Sequence, residues 1–338
     1  MGEPSMVLPP LEFKDRRAGL VAFGILEILL GGLCILLLVF LLAFFLLAAS
    51  HTTVRTPGGY GFVGEVDWHG LGIAAAMYGF LAVAFVWLGI GSIHCQRWAR
   101  TLSLILSWSW LLGGICALGF LVVFQRASIA KGMITPAANF IMDIMLTFEA
   151  VFLVALPSAM VLFYQSRHVK ATCEARDQTP RWTDACPMPV LATSLWICLG
   201  AFSLLSVPFM YRSVVPFFGI LITGRVAACI LVLCSALWFY LGWGTYRLKP
   251  TAWWLALIVF GLSSASAAFT FLRIDLMELY RQLGYGEEQI RTIQDVGFLT
   301  GRAAAWWSAL FFVAFLLYSL WIKKYFTQFR GQAPQPRN

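Results

Sequence analysis

Leu88-Gly89-Ile90-Gly91-Ser92 decides the reading of the fold, because the chain returns to it as Leu241-Gly242-Trp243-Gly244-Thr245. Each copy closes a long apolar run, precedes a short basic turn and leads into another apolar run. At the constant offset of 153 that carries Leu88 to Leu241, residues Gly89, Gly91, Ala99, Leu102, Leu104 and Ile105 also meet identical residues. The pattern predicts a duplicated membrane unit. The competing reading is chance likeness between leucine-rich helices.

Composition points to lipid as the solvent. Of 338 residues, 60% are hydrophobic and 12% charged, against about 25% charged in ordinary globular chains. The charges form islands between apolar blocks longer than about 18 residues, the pattern of transmembrane helices. Backbone groups in hydrocarbon must be bonded internally, which leaves helices or closed barrels. The blocks lack the strict in-and-out alternation of barrel strands. The expected fold is therefore all-α, a polytopic integral membrane protein whose first partner is the lipid bilayer.

Eight spans are expected, at 20–50, 70–93, 101–124, 144–166, 189–211, 215–242, 251–272 and 303–322, with 125–148 partly apolar. Lys and Arg set the orientation. The N-terminus, the turns at 94–100 and 246–250, the 167–188 segment and the C-terminus hold 15 of the 24 basic residues and six acids. The opposite side holds nine of each sign. Both termini are then cytosolic, and an even number of spans requires them to share a side.

Each half, 1–166 and 189–325, is expected to hold four spans, beginning and ending inside. The two four-helix halves are thus parallel, related by an axis along the membrane normal. Leu162 and Tyr164 match Leu316 and Tyr318, and Leu30-Gly31 lies on Leu199-Gly200. Between the halves, 167–188 reads as a cytosolic linker stiffened by Pro180 and Pro187, and 326–338 reads as a cytosolic tail. The outside loop at 273–302 spaces its apolar residues like two short helices interrupted at Gly284-Tyr285-Gly286.

Candidate chemistry is sparse. Glu27 sits about 10 Å into the first span at about 1.5 Å per residue. A carboxyl at such depth is expected to face the interior and to have a partner. It is either a proton or cation site or a group held by helix neighbours. A second layer, near the outer side, holds His69, Glu149, Arg225 and Arg302. There an ion pair from Glu149 to one of the arginines would neutralise a deep charge and fix how the halves dock. An anion site on the two arginines is the alternative.

Other residues read more plainly. His94, Cys95, His168, Cys173 and Cys186 match no standard zinc spacing, so no metal is expected. The paired glycines lack the third glycine of a dinucleotide loop and read as helix ends that allow close approach. Trp108, Trp110 and Trp196 lie deep and need partners, which Ser103, Ser107, Ser109 or Ser263, Ser264 and Ser266 can supply.

No cofactor is implied. The net charge of +8 is spread beside span ends rather than gathered on one face, so no nucleic acid is expected. No nucleophile, base and acid fall on one side of the membrane, so the protein is not read as an enzyme. The expectation is a non-catalytic accessory, assembly or scaffold subunit in the bacterial inner (plasma) membrane, with a membrane-protein partner or a second copy of itself. A small-solute or ion transporter with its pathway between the halves is the other reading.

Overall fold

A lipid-facing exterior of bare hydrocarbon governs the architecture. The computed structural model describes residues 14–51, 68–130, 132, 135–210, 212–287, 290, 291, 294 and 300–328. Among them, eight helices are long and apolar enough to cross a membrane, which makes the chain a multi-pass membrane protein. Large side chains such as Phe40, Val83, Phe148, Leu233 and Leu317 point outward. In water such a surface would aggregate; in a bilayer it is the expected boundary.

The helices are α1 (Arg17–His51), α2 (Trp68–Ile93), α3 (Arg97–Ala130) and α4 (Pro136–Ala150), which continues through a π-helical turn (Val151–Ala155) into α5 (Leu156–Gln165). A short α6 (Arg167–Arg176) and a single turn at Trp182–Asp184 lead to α7 (Met188–Met210). Then come strands β1 (Val214–Phe217) and β2 (Ile220–Thr223), α8 (Gly224–Tyr246), α9 (Pro250–Arg273), α10 (Leu276–Leu283) and α11 (Gly301–Gln328). The spans pack mainly as neighbours in sequence: α1 on α2, α3 on α5, α7 on α8 and α9 on α11. Helix α7 also touches α2 and α3, joining the first four spans to the last four.

The two turns after the quoted stretches have the same geometry. Cys95 and Leu248 both take the left-handed backbone, with φ of 56° and 55°. Cys95 N–H donates to Ser92 O at 2.9 Å and Gln96 N–H to Gly91 O at 2.9 Å. Leu248 N–H donates to Thr245 O at 2.9 Å and Lys249 N–H to Gly244 O at 3.0 Å. So Cys95 and Leu248 end these helices, not the glycines, which lie inside the last turns. The glycines serve close approach: a Cβ on Gly91 would stand 2.5 Å from the Ala99 methyl, and one on Gly244 the same distance from Ala252.

Span limits differ from expectation where backbone chemistry intervenes. Residues 125–148 are largely helical, because α3 runs on to Ala130 and α4 starts at Pro136 behind an N-capping Thr135 whose Oγ1 accepts from Ala138 N–H. Residues 215–223 are not part of a span. They form an antiparallel hairpin turning at Phe218 and Gly219, with φ of 39° and 93°. Its tip is tied to α9: Phe218 N–H donates to Ser266 Oγ at 3.0 Å and Gly219 N–H to Thr270 Oγ1 at 3.0 Å.

The π turn before α5 has a local cause. Pro157 has no N–H to bond the carbonyl four residues back and its ring crowds it. That carbonyl, Leu153 O, lies against Gly114 of α3, where any side chain would collide with it. In the 273–302 loop, α10 is capped by Asp275 and ended by Gly284 at φ 99°. The second short helix expected there lies largely outside the described residues, as do the tail beyond 328 and the first residues of the chain.

Candidate functional site

Glu27 is fully buried, and its partners are hydroxyls rather than a base. Helix α1 carries it inward on the face that packs α2, while α2 presents Ser92 one residue past Gly91 and α5 presents Tyr164. Ser92 Oγ donates to Glu27 Oε2 at 3.0 Å, and Tyr164 OH stands 3.1 Å from Oε1. Ser92 Oγ and Tyr164 OH are 3.0 Å apart. All three residues are sealed from the surface.

Both hydroxyls donate to the carboxyl, and the fully buried Ser103 of α3 lies against the same group without a well-formed hydrogen bond of its own. Hydroxyls from α2, α3 and α5 thus gather round a carboxyl that would otherwise be costly inside a membrane. Below it lies an apolar floor of Leu20, Met160, Val169, Cys95 and Cys173 around the Tyr164 ring, with Phe23 and Phe163 at its edge.

The outer candidates do not converge. Glu149 is half-buried at the end of α4, while Arg225 and Arg302 are exposed in the first turns of α8 and α11. No ion pair joins Glu149 to either arginine among the described residues, which corrects that expectation. The reason is topological: α4 packs on α3, whereas α8 packs on α7 and α9, and α11 on α9. The His69 side chain lies outside the described residues. Among the described residues the five ion pairs, such as Arg97–Asp184 at 3.6 Å and Arg176–Asp15 at 2.9 Å, all involve segments at or beyond the span ends.

Two features escaped the sequence reading. Ser92 and Tyr164 carried no sign of pairing with Glu27, since 65 and 137 residues separate them from it. A second polar knot, Gln125 with Asn139 and Asp143 at 2.8 Å each, binds the end of α3 to the start of α4. The signal for it was present, an Asn and an Asp four residues apart on one helix. Among the deep tryptophans, Trp196 Nε1 donates to Ser109 Oγ at 2.9 Å, linking α7 to α3.

The thiols at the basic end are held protonated. Burial pushes Cys173 up to about 12 and Cys186 up to about 11. Among the described residues, no group of three His, Cys, Asp or Glu side chains is gathered to hold a metal. Among the described residues, two cavities stand out. One of about 270 Å³ opens at the basic end beside Arg97 and Arg100. The other, about 830 Å³, lies between α3, α7 and α11 and is mostly apolar. Glu27 lines neither.

Comparison with known proteins gives no match: no protein-family model fits the chain, and neither a curated protein nor a solved structure resembles it.

Proposed function

We propose that this protein is a non-catalytic membrane component, an accessory, assembly or scaffold subunit. The observation that supports it is the closure of Glu27: its carboxyl is spent on Ser92 and Tyr164 in a sealed ring that joins three spans. A group so placed fixes how α1, α2 and α5 fit together. A transport pathway needs its polar residues to meet in a wet passage, whereas Glu149, Arg225 and Arg302 stand on separate helices.

The same reading includes a tandem duplication: two parallel four-helix halves, 1–166 and 189–325, with the 167–188 linker and both termini in the cytosol of a bacterial cell. The matched turns at Cys95 and Leu248 support the duplication, and the Lys and Arg bias supports the orientation. The partner is another membrane protein or a second copy of this chain.

Two measurements test the proposal. Proteoliposomes holding the wild type and Glu27→Gln are assayed for ion and small-solute flux, while affinity purification from mild detergent looks for a stable membrane partner. No flux with either protein and a stoichiometric partner are expected. Flux that the substitution abolishes would overturn the scaffold reading. Impermeant labelling of 94–100 and 273–302 in intact cells checks the orientation, with the second region expected to react and the first to be protected.

A further inference from the structure

The basic end carries a guanidinium that no salt bridge meets among the described residues, with Glu174 acting on it only at longer range. Arg97 pairs with Asp184 at 3.6 Å, and Lys170 with Glu174 at 3.8 Å, all four lining the smaller cavity. That leaves Arg100. Its Nε is buried without a hydrogen-bond partner, and Thr183 Oγ1, on a side chain 3% exposed, is in the same condition. Both line that cavity. Buried donors left unmade are costly, so these two side chains are suited to an added acceptor.

The larger cavity adjoins the smaller one at Met188. Met188 lines both, and Cys186, on the wall of the first, packs with Ile105 on the wall of the second. One face of α3 runs through the two, from Arg97 and Thr101 to Ile105, Ser109 and Leu112. At about 1.5 Å per residue that walk is about 22 Å, more than half of a hydrocarbon core about 30 Å thick. Trp108, Trp196, Trp238, Phe260 and Phe315 wall the apolar part. A charged mouth at the water edge that leads into an aromatic groove in the membrane matches a molecule with an anionic head and a hydrocarbon tail.

We propose that these adjoining cavities bind one anionic phospholipid, its phosphate on Arg100 and Thr183 and an acyl chain passing Met188 into the groove between α3, α7 and α11. The site goes beyond the scaffold reading and shares no residue with the Glu27 ring, so either can fail alone. Guanidinium recognises phosphate through charge-assisted hydrogen bonds, and the groove contributes apolar burial without selecting the head.

The test uses full-length protein in detergent, with bound lipid counted by native mass spectrometry after adding phosphatidylglycerol, phosphatidylcholine or inorganic phosphate. Phosphatidylglycerol is expected to bind about tenfold more tightly than phosphatidylcholine, a difference of one charge-assisted contact. Arg100→Gln should remove that preference, and Arg100→Lys, which keeps the charge, should retain most of it. Ala314→Phe, which fills the groove from an exposed position on α11, should weaken both lipids alike. Equal binding of the two lipids by the wild type would overturn the proposal, as would unchanged preference in an Arg100→Gln protein that melts like the wild type. Displacement of the lipid by millimolar inorganic phosphate, with no effect of Ala314→Phe, would show a free-anion site and overturn it too.

Discussion

The first four spans and the last four share a turn and differ in what they bury above it. A Cβ on Gly89 would stand 2.5 Å from Gly24 O and 3.0 Å from Ile28 N, and one on Gly242 would stand 3.3 Å from Ser194 O and 3.4 Å from Cys198 N. When these two contacts are laid on each other, Glu27 falls on Ile197, and Leu30-Gly31 falls one residue away from Leu199-Gly200. Ser92 corresponds to Thr245 and Tyr164 to Tyr318. In the first set these positions form the closed ring. In the last set Ile197 packs with Leu241 and Ala256, Thr245 Oγ1 is buried without a partner, and Tyr318 OH donates to Pro189 O at 3.0 Å. One backbone frame thus accepts either a polar or an apolar filling, so the ring is not what makes the turn. It is an added device that fixes three helices in one arrangement, a role buried polar groups are known to take in some bundles.

The strongest way to sharpen that contrast is at the glycines. Gly89→Ala drives a methyl into backbone on α1, whereas Gly242→Ala meets first the Cys198 sulfur, a side chain that can turn away. The first should cost about 2–3 kcal/mol and the second under about 1 kcal/mol, read as unfolding free energy in mixed micelles. Equal losses would break the comparison. Next, Glu27→Leu should cost about 2 kcal/mol by stripping two hydroxyls of their partner, while Glu27→Gln, which can still donate and accept, should cost less than half of that in the same assay.

Smaller effects follow at the paired hydroxyl position. Ser92→Ala should cost about 1 kcal/mol, near the measured range for hydrogen bonds between membrane helices. Thr245→Val removes a buried hydroxyl that bonds nothing, so it should be neutral or raise stability by up to about 1 kcal/mol. Last comes an effect that is nil at neutral pH, an alkaline one confined to the first set. Cys173 lies under Tyr164 and is held well above the ordinary thiol value of 9.0. Its contribution is fully present below pH 9 and fades as pH rises toward 12, because the unfolded chain releases that proton first. The corresponding floor of the last four spans, Val190, Trp253, Ile322 and Phe326, holds no thiol. Cys173→Ala should therefore flatten the fall in melting temperature between pH 9 and pH 11, and alkylation of Cys173 at pH 9 should be far slower in the folded protein than in the unfolded chain.

Much of the frame was legible because hydrocarbon imposes it residue by residue. Long apolar runs had to be helices, and all eight are found. Glu27 had to face inward, and does. The hairpin at 214–223 was hidden because Val215, Pro216, Phe217 and Ile222 are as apolar as the span they precede; only the turn at Phe218-Gly219 and the β-branched residues marked it. Extension of α3 and α4 through 125–150 was hidden for the converse reason, since Gln125, Asn139 and Asp143 look like a loop until they bond one another.

By itself, then, the order of residues determined the solvent, the number of spans and the inward carboxyl, because each follows from the transfer of local groups between water and lipid. Tertiary structure decided who pairs with whom: that Glu27 meets Ser92 and Tyr164, that Glu149 meets neither arginine, and that Arg100 is left unpaired beside an apolar groove. The physical reason is that hydrophobicity is set within a run, whereas a hydrogen bond needs two groups within about 3 Å, and only the packing of separate helices brings such distant residues to that distance.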